Sequence, residues 1–184
     1  MKKIILSVVI VFTFGFVNAQ EKEAMSFGAK GGLNLATVTN ADGSKTLVGF
    51  HIGFFGEFML GDDFALQPEV LYSTQGTDFD NGDLKLDYIT VPVMLKYYVA
   101  DAFSLELGPQ IGFLVSAEED GVDIKSDVKS IDFGINFGAS YDVTENFMLG
   151  ARYNLGVTRW QDQLFPGESE SKNSVFQISV GYKF

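Results

Sequence analysis

Eight ionisable residues draw attention because each occupies the polar position of an alternating segment: Lys30, Glu57, Glu69, Lys96, Glu106, Asp132, Arg152 and Lys183. Four are basic and four acidic. Gathered away from water they would have to pair, because an unpaired buried charge is costly. Glu69 and Glu106 have the residue types of an acid–base couple, but the nearby supply of cations favours structural pairing or the lining of a narrow ion path. His51 is the only histidine. Nucleophilic catalysis would need it beside a serine and a carboxylate, and no motif marks a serine nucleophile. No residue is therefore assigned to catalysis, to a cofactor or to a metal. The absence of cysteine excludes disulfides, thiolate metal sites, a cysteine nucleophile and a lipoprotein anchor. The glycines recur at two- and four-residue spacing inside strands, which is not the arrangement of a phosphate loop.

The elements that must position these charges are strands. Two-residue alternation recurs in eight segments: Phe27 to Leu35, Val48 to Leu60, Phe64 to Thr74, Ile89 to Val99, Phe103 to Val115, Ile131 to Tyr141, Phe147 to Val157 and Phe176 to Phe184. In the sixth, for example, Ile131, Phe133, Ile135 and Phe137 oppose Asp132, Gly134, Asn136 and Gly138. The apolar phase carries no charge in any segment, and the other phase holds the eight ionisable residues. Connections alternate between tight turns (61–63, 101–102, 144–146) and longer polar ones (39–47, 75–87, 116–130, 158–173), as in outer-membrane barrels.

The N-terminus has Lys2 and Lys3, an apolar run from Ile4 to Val17, and then Val17-Asn18-Ala19, the layout of a secretory signal peptide. Residues 1–19 are read as that signal and 20–184 as one barrel domain. The mature segment has 11 basic and 24 acidic residues, a net charge of −13, which excludes nucleic-acid binding.

Alternation alone does not say whether the apolar phase faces lipid or a protein core, and a lipocalin-like soluble barrel has the same period. Three features favour lipid. The segments are about 9 to 13 residues long, enough to cross a bilayer when tilted. The polar phase mixes glycine with matched charges, as a narrow interior needs. The chain ends in phase on Tyr182 and Phe184, like the C-terminal signal read by the barrel-assembly machinery. Phe58, Phe64, Tyr97, Phe103, Tyr141, Phe147, Tyr182 and Phe184 would form an aromatic girdle at the short-turn rim. The expected fold is an all-β, eight-stranded antiparallel up-and-down transmembrane β-barrel, the first strand pairing with the last because hydrocarbon satisfies no strand edge. Pro68, Pro92 and Pro109 fall inside strands, where bulges or locally broken pairing are expected.

Lys30-Gly31-Gly32-Leu33-Asn34, the run Leu66-Gln67-Pro68-Glu69-Val70-Leu71-Tyr72, Tyr88-Ile89-Thr90-Val91-Pro92, Gly108-Pro109-Gln110 and the terminal Gly181-Tyr182-Lys183-Phe184 are similar to the porin-family, PorT-like outer-membrane β-barrel proteins. The resemblance spans nearly the whole mature chain. It implies a barrel in the outer membrane of a Gram-negative cell, and no catalytic residues.

An eight-stranded barrel has an interior that side chains fill. The first functional reading is a structural or surface-interaction role; a narrow pore for ions or small solutes comes second, and a barrel-embedded lipid-modifying enzyme third. Loops 75–87 and 116–130 each carry a net charge of −3, which reads first as a solvated acidic face and second as a surface that holds divalent cations and so contacts lipopolysaccharide in the outer leaflet. Arg159 and Trp160 could form a binding patch or an interfacial anchor.

Overall fold

A computed structural model describes residues 25–39, 44–79, 82–126, 128–159 and 172–184. The signal segment, Asp80, Asp127, Trp160 and most of the last long connection lie outside these residues. The strands are β1 (Met25–Thr39), β2 (Leu47–Met59), β3 (Phe64–Phe79), β4 (Gly82–Ala100), β5 (Phe103–Glu119), the two-residue β6 (Val122–Asp123), β7 (Ile131–Asp142), β8 (Phe147–Arg159) and β9 (Lys172–Lys183). Eight of them close a barrel in which each strand lies antiparallel to its sequence neighbour; β6 only folds back on the end of β5. The seam between β1 and β9 runs from Gly28 opposite Lys183 to Thr39 opposite Lys172, so neither strand keeps a free edge.

The barrel is turned inside out relative to a soluble protein. Leu33, Ile52, Phe54, Leu107 and Ile178 are all more than half exposed, whereas Lys96, Asn34 and Gln67 are fully buried. An apolar belt around every long strand, enclosing a polar lumen, is the arrangement that a bilayer stabilises, and it disposes of the lipocalin-like alternative. Aromatic pairs band the short-turn rim: Phe64 and Tyr97 have ring centroids 4.9 Å apart, Phe147 and Tyr182 5.0 Å, and Tyr182 and Phe184 5.9 Å.

The prolines interrupt hydrogen bonding without shifting register. The β2–β3 ladder skips the pairs around Pro68, and the β3–β4 and β4–β5 ladders skip those around Pro92 and Pro109, yet each resumes in the same register. The true irregularities lie elsewhere, at Asp87/Tyr88 and Tyr98/Ala100 between β4 and β5, and between Leu155 and Arg159 on β8.

The stretch expected as loop 75–87 is mostly hairpin, with pairing continuing to Phe79 opposite Gly82. The reason is visible in its residues. Leu84 and Leu86 point into the barrel and are buried, while Asp83, Lys85 and Asp87 alternate with them on the outer side, so the strand period persists beneath the charge. Gly76 makes the hairpin possible: its φ is +132°, and a Cβ there would strike the Leu84 carbonyl oxygen.

Candidate functional site

The lumen is layered. Nearest the short-turn rim, the Glu57 carboxylate accepts from Lys96 Nζ at 2.5 Å and from Lys183 Nζ at 3.0 Å, and Lys183 also reaches Asp142 at 3.2 Å. Alternation places Glu57, Lys96 and Lys183 inward at equivalent heights on β2, β4 and β9. Asp142, at the end of β7, was not singled out from the sequence because it follows the last alternating residue.

One layer further in, Glu69 on β3 accepts a two-pronged bond from Arg152 on β8, Nη1 to Oε2 at 3.0 Å and Nη2 to Oε1 at 2.9 Å. Lys30 on β1 approaches Glu69 Oε2 at 2.9 Å, Gln67 Nε2 donates to Oε1 at 2.7 Å, and Arg152 Nη2 reaches Glu106 on β5 at 2.8 Å. Two cations and two carboxylates thus neutralise one another with almost no solvent contact, a geometry in which the planar guanidinium clamps strands from opposite walls.

Asp132 does not join either cluster. It is 4% exposed, makes no ion pair, and its Oδ1 has no hydrogen-bond partner among the described residues. Its position near the outer end of β7 sets it several residues of strand away from the cationic layers, so grouping it with the other seven overstated the network.

Between the charged and outer layers lie amides. Gln110, Asn136 and Asn154 form a chain, with Asn136 Nδ2 donating to Gln110 at 3.2 Å and Asn154 Nδ2 donating to Asn136 at 3.0 Å. On the opposite wall, His51 Nδ1 lies 2.8 Å from Asn34 Oδ1 and His51 Nε2 lies 2.8 Å from Ser179 Oγ. A serine, a histidine and an amide in a row are the parts of a nucleophilic relay. Here the histidine is 1% and the serine 6% exposed, enclosed by Gly32, Gln177 and the charged layer. A relay also needs room for an acyl group and oxyanion donors beside the serine, whereas Ser179 is buried and already bonded to His51. The arrangement is a buried hydrogen-bond chain tying β1, β2 and β9.

The outer end of the lumen is apolar. Leu84, Leu86, Tyr88, Leu114, Ala117 and Val128 form one buried cluster, with Ile124 packed against it. Leu114 and Ala117 both point inward because β5 carries an extra residue where Asp87 and Tyr88 change register. Val128, 3% exposed, lies between β6 and β7 in the chain and completes this cluster. Among the described residues, no three acidic or histidine side chains converge where a metal could sit; Asp80 and Asp127 of the acidic connections lie outside them.

Inverted polarity and eight-strand closure together are the marks of an outer-membrane barrel. Residues 18–160 match the outer membrane protein beta-barrel domain family. The chain belongs to this family, and the protein resides in the outer membrane. A search of curated proteins gave no match. This outer-membrane barrel is similar in fold to the attachment invasion locus protein Ail of Yersinia pestis, with 17% identity over 89% of this chain and 100% of that one, at a TM-score of 0.54. Neisserial surface protein A shares 18% identity over 90% of this chain and 100% of its own, at a TM-score of 0.57. At such identities the likeness shows the architecture alone.

Proposed function

We propose that this barrel is a non-conducting outer-membrane protein whose biological work is done at the cell surface by its external hairpins. The observation that carries this reading is the filled lumen: two neutralised ion-pair layers, an amide layer and an apolar cap follow one another along the axis. Such an interior holds the wall together, and an ion crossing it would have to break the buried pairs. The test is planar-bilayer conductance of the purified, folded protein; a steady open-channel current would overturn the proposal.

A narrow ion path is the second reading, favoured by one feature. Asp132 Oδ1 and Asn154 Oδ1, which have no hydrogen-bond partner among the described residues, leave oxygen acceptors in the outer half of the lumen. The ion-pair residues would then line a pore rather than brace a wall. A lipid-modifying enzyme finds no support in the enclosed Ser179.

Ail has been solved in complex with the heparin analogue sucrose octasulfate, so a barrel of this shape can present a polyanion site. The present hairpins carry acids at their ends, Asp78, Asp83, Glu118, Glu119, Asp120 and Asp123, and suit a cationic or neutral surface partner better. The PorT-like resemblance, export by residues 1–19, recognition of Tyr182 and Phe184 by the barrel-assembly machinery, and lipopolysaccharide as the outer-leaflet neighbour complete the proposal. Their common support is the sequence pattern together with outer-membrane residence.

A further inference from the structure

The two ion-pair layers are each neutral: Lys96 and Lys183 face Glu57 and Asp142 in one, and Lys30 and Arg152 face Glu69 and Glu106 in the other. Asp132 is the buried carboxylate left over, and it makes no ion pair among the described residues. The connections outside those residues do not supply the missing charge, since 40–43, 80–81, 127 and 160–171 contain neither lysine nor arginine. Around Asp132 the inward positions are glycines. Gly112 is its partner across the β5–β7 ladder, and Gly134 and Gly156 face each other at the next inward step of β7 and β8. Three other side chains close over these glycines. The Tyr88 ring from β4 comes within 3.3 Å of the point where Gly112 would carry a Cβ, and the Asp132 Cβ lies 3.6 Å from the same point. The Asn154 carboxamide from β8 covers Gly134, with Oδ1 3.0 Å from the corresponding point there. Asn173 on β9 packs its main chain against Gly156, and the Tyr88 hydroxyl extends toward its carboxamide.

We propose that this enclosure binds a monovalent alkali-metal cation, held by the Asp132 carboxylate together with Asn154 Oδ1, Asn173 Oδ1 and the Tyr88 hydroxyl oxygen. All four residues are 4% exposed or less. Asp132 Oδ1, Asn154 Oδ1 and both side-chain polar atoms of Asn173 have no hydrogen-bond partner among the described residues, a cost that a bound ion removes. The four donors are hard oxygens, the ligand type of alkali and alkaline-earth ions rather than of transition metals. One carboxylate balances one positive charge. A divalent ion would leave a net charge buried in its place, and water alone would satisfy the amides but leave the carboxylate unopposed. With one monovalent cation bound, the third polar level of the lumen becomes neutral like the two below it.

A resident ion of this kind does not depend on whether the lumen conducts, so its test and the conductance measurement can fail separately. The full folded protein in phosphatidylcholine vesicles is unfolded with urea in choline, sodium or potassium chloride at one ionic strength; choline is too large for the site. Replacing choline by about 100 mM sodium or potassium should raise the folded-to-unfolded ratio about tenfold, as a dissociation constant of about 10 mM requires. D132N should abolish this response, while being as stable as the wild type or more so in choline. N173L, which keeps the carboxylate, should weaken the response several-fold. D83N, which removes an external carboxylate paired with Lys85, should keep it in full. Heat-modifiable mobility shows that each variant is folded. Crystals grown with thallium(I), a potassium-sized ion, should show an anomalous peak between Asp132, Asn154, Asn173 and Tyr88. Equal midpoints in the three salts would mean that Asp132 is held as the neutral acid and would overturn the proposal. A response that D132N or N173L leaves intact, or a thallium map empty at Asp132, would overturn it as well.

Discussion

Glu69 and Arg152, 83 residues apart in sequence, meet across the lumen in a two-pronged bond of 2.9 and 3.0 Å, joining β3 to β8 without any shared ladder. This contact braces opposite walls of a sheet whose backbone ladders run only between neighbours. Replacing Arg152 with Met leaves Glu69 with Lys30 as its remaining ion-pair partner and takes from Glu106 the guanidinium bonded to it. Breaking a buried pair in this way costs about 3–5 kcal/mol, so R152M should unfold at markedly lower urea in lipid vesicles. An unchanged midpoint would show that solvent already reaches the pair.

Asp132 should behave in the opposite sense. It is buried and makes no ion pair among the described residues, so D132N removes a charge that the fold accommodates at a cost. The expected result is equal or higher stability in the same urea titration, against a clear loss for E69Q. A loss of similar size in D132N would mean that Asp132 has a partner it depends on.

At Gly32 the seam between β1 and β9 is so close that a Cβ would strike the Ile178 carbonyl oxygen. G32V should therefore prevent closure, and an unboiled sample should migrate with the boiled one on a detergent gel. A normal mobility shift would show that the seam can move apart.

The Ser179–His51–Asn34 chain should be inert. Ser179 should not be labelled by a fluorophosphonate probe, and S179A should lose about 1–3 kcal/mol of stability, since the substitution strands a buried histidine nitrogen. Labelling that disappears in both S179A and H51Q would identify an enzyme instead.

Much of this fold was legible because the bilayer imposes a strict two-residue period. Phe133 and Ile135 against Asp132 and Gly134 already separate lipid from lumen, and the matched charges anticipated neutral interior layers. The partners were not legible. They depend on the stagger between strands, and alternation does not set how far Asp132 lies from Arg152. The length of the external hairpins was also hidden, because Asp83, Lys85 and Asp87 made 75–87 look like a loop while Leu84 and Leu86 kept the strand period. The apolar cap was missed for the same reason: Leu114 and Ala117 share a face only through a β5 irregularity that no residue type announces. His51, Ser179 and Asn34 were each readable as inward-facing, but their meeting needed the β1–β9 and β1–β2 registers.

The most direct test of the account is single-channel recording from the folded, purified barrel in a planar bilayer at neutral pH and high salt. A lumen sealed by two ion-pair layers and the Leu84–Leu86–Val128 cap should give no steady conductance above the bare membrane, and R152M should introduce leak or flicker. A stable, ohmic open state in the wild-type protein would contradict it and make the charged layers the lining of a pore.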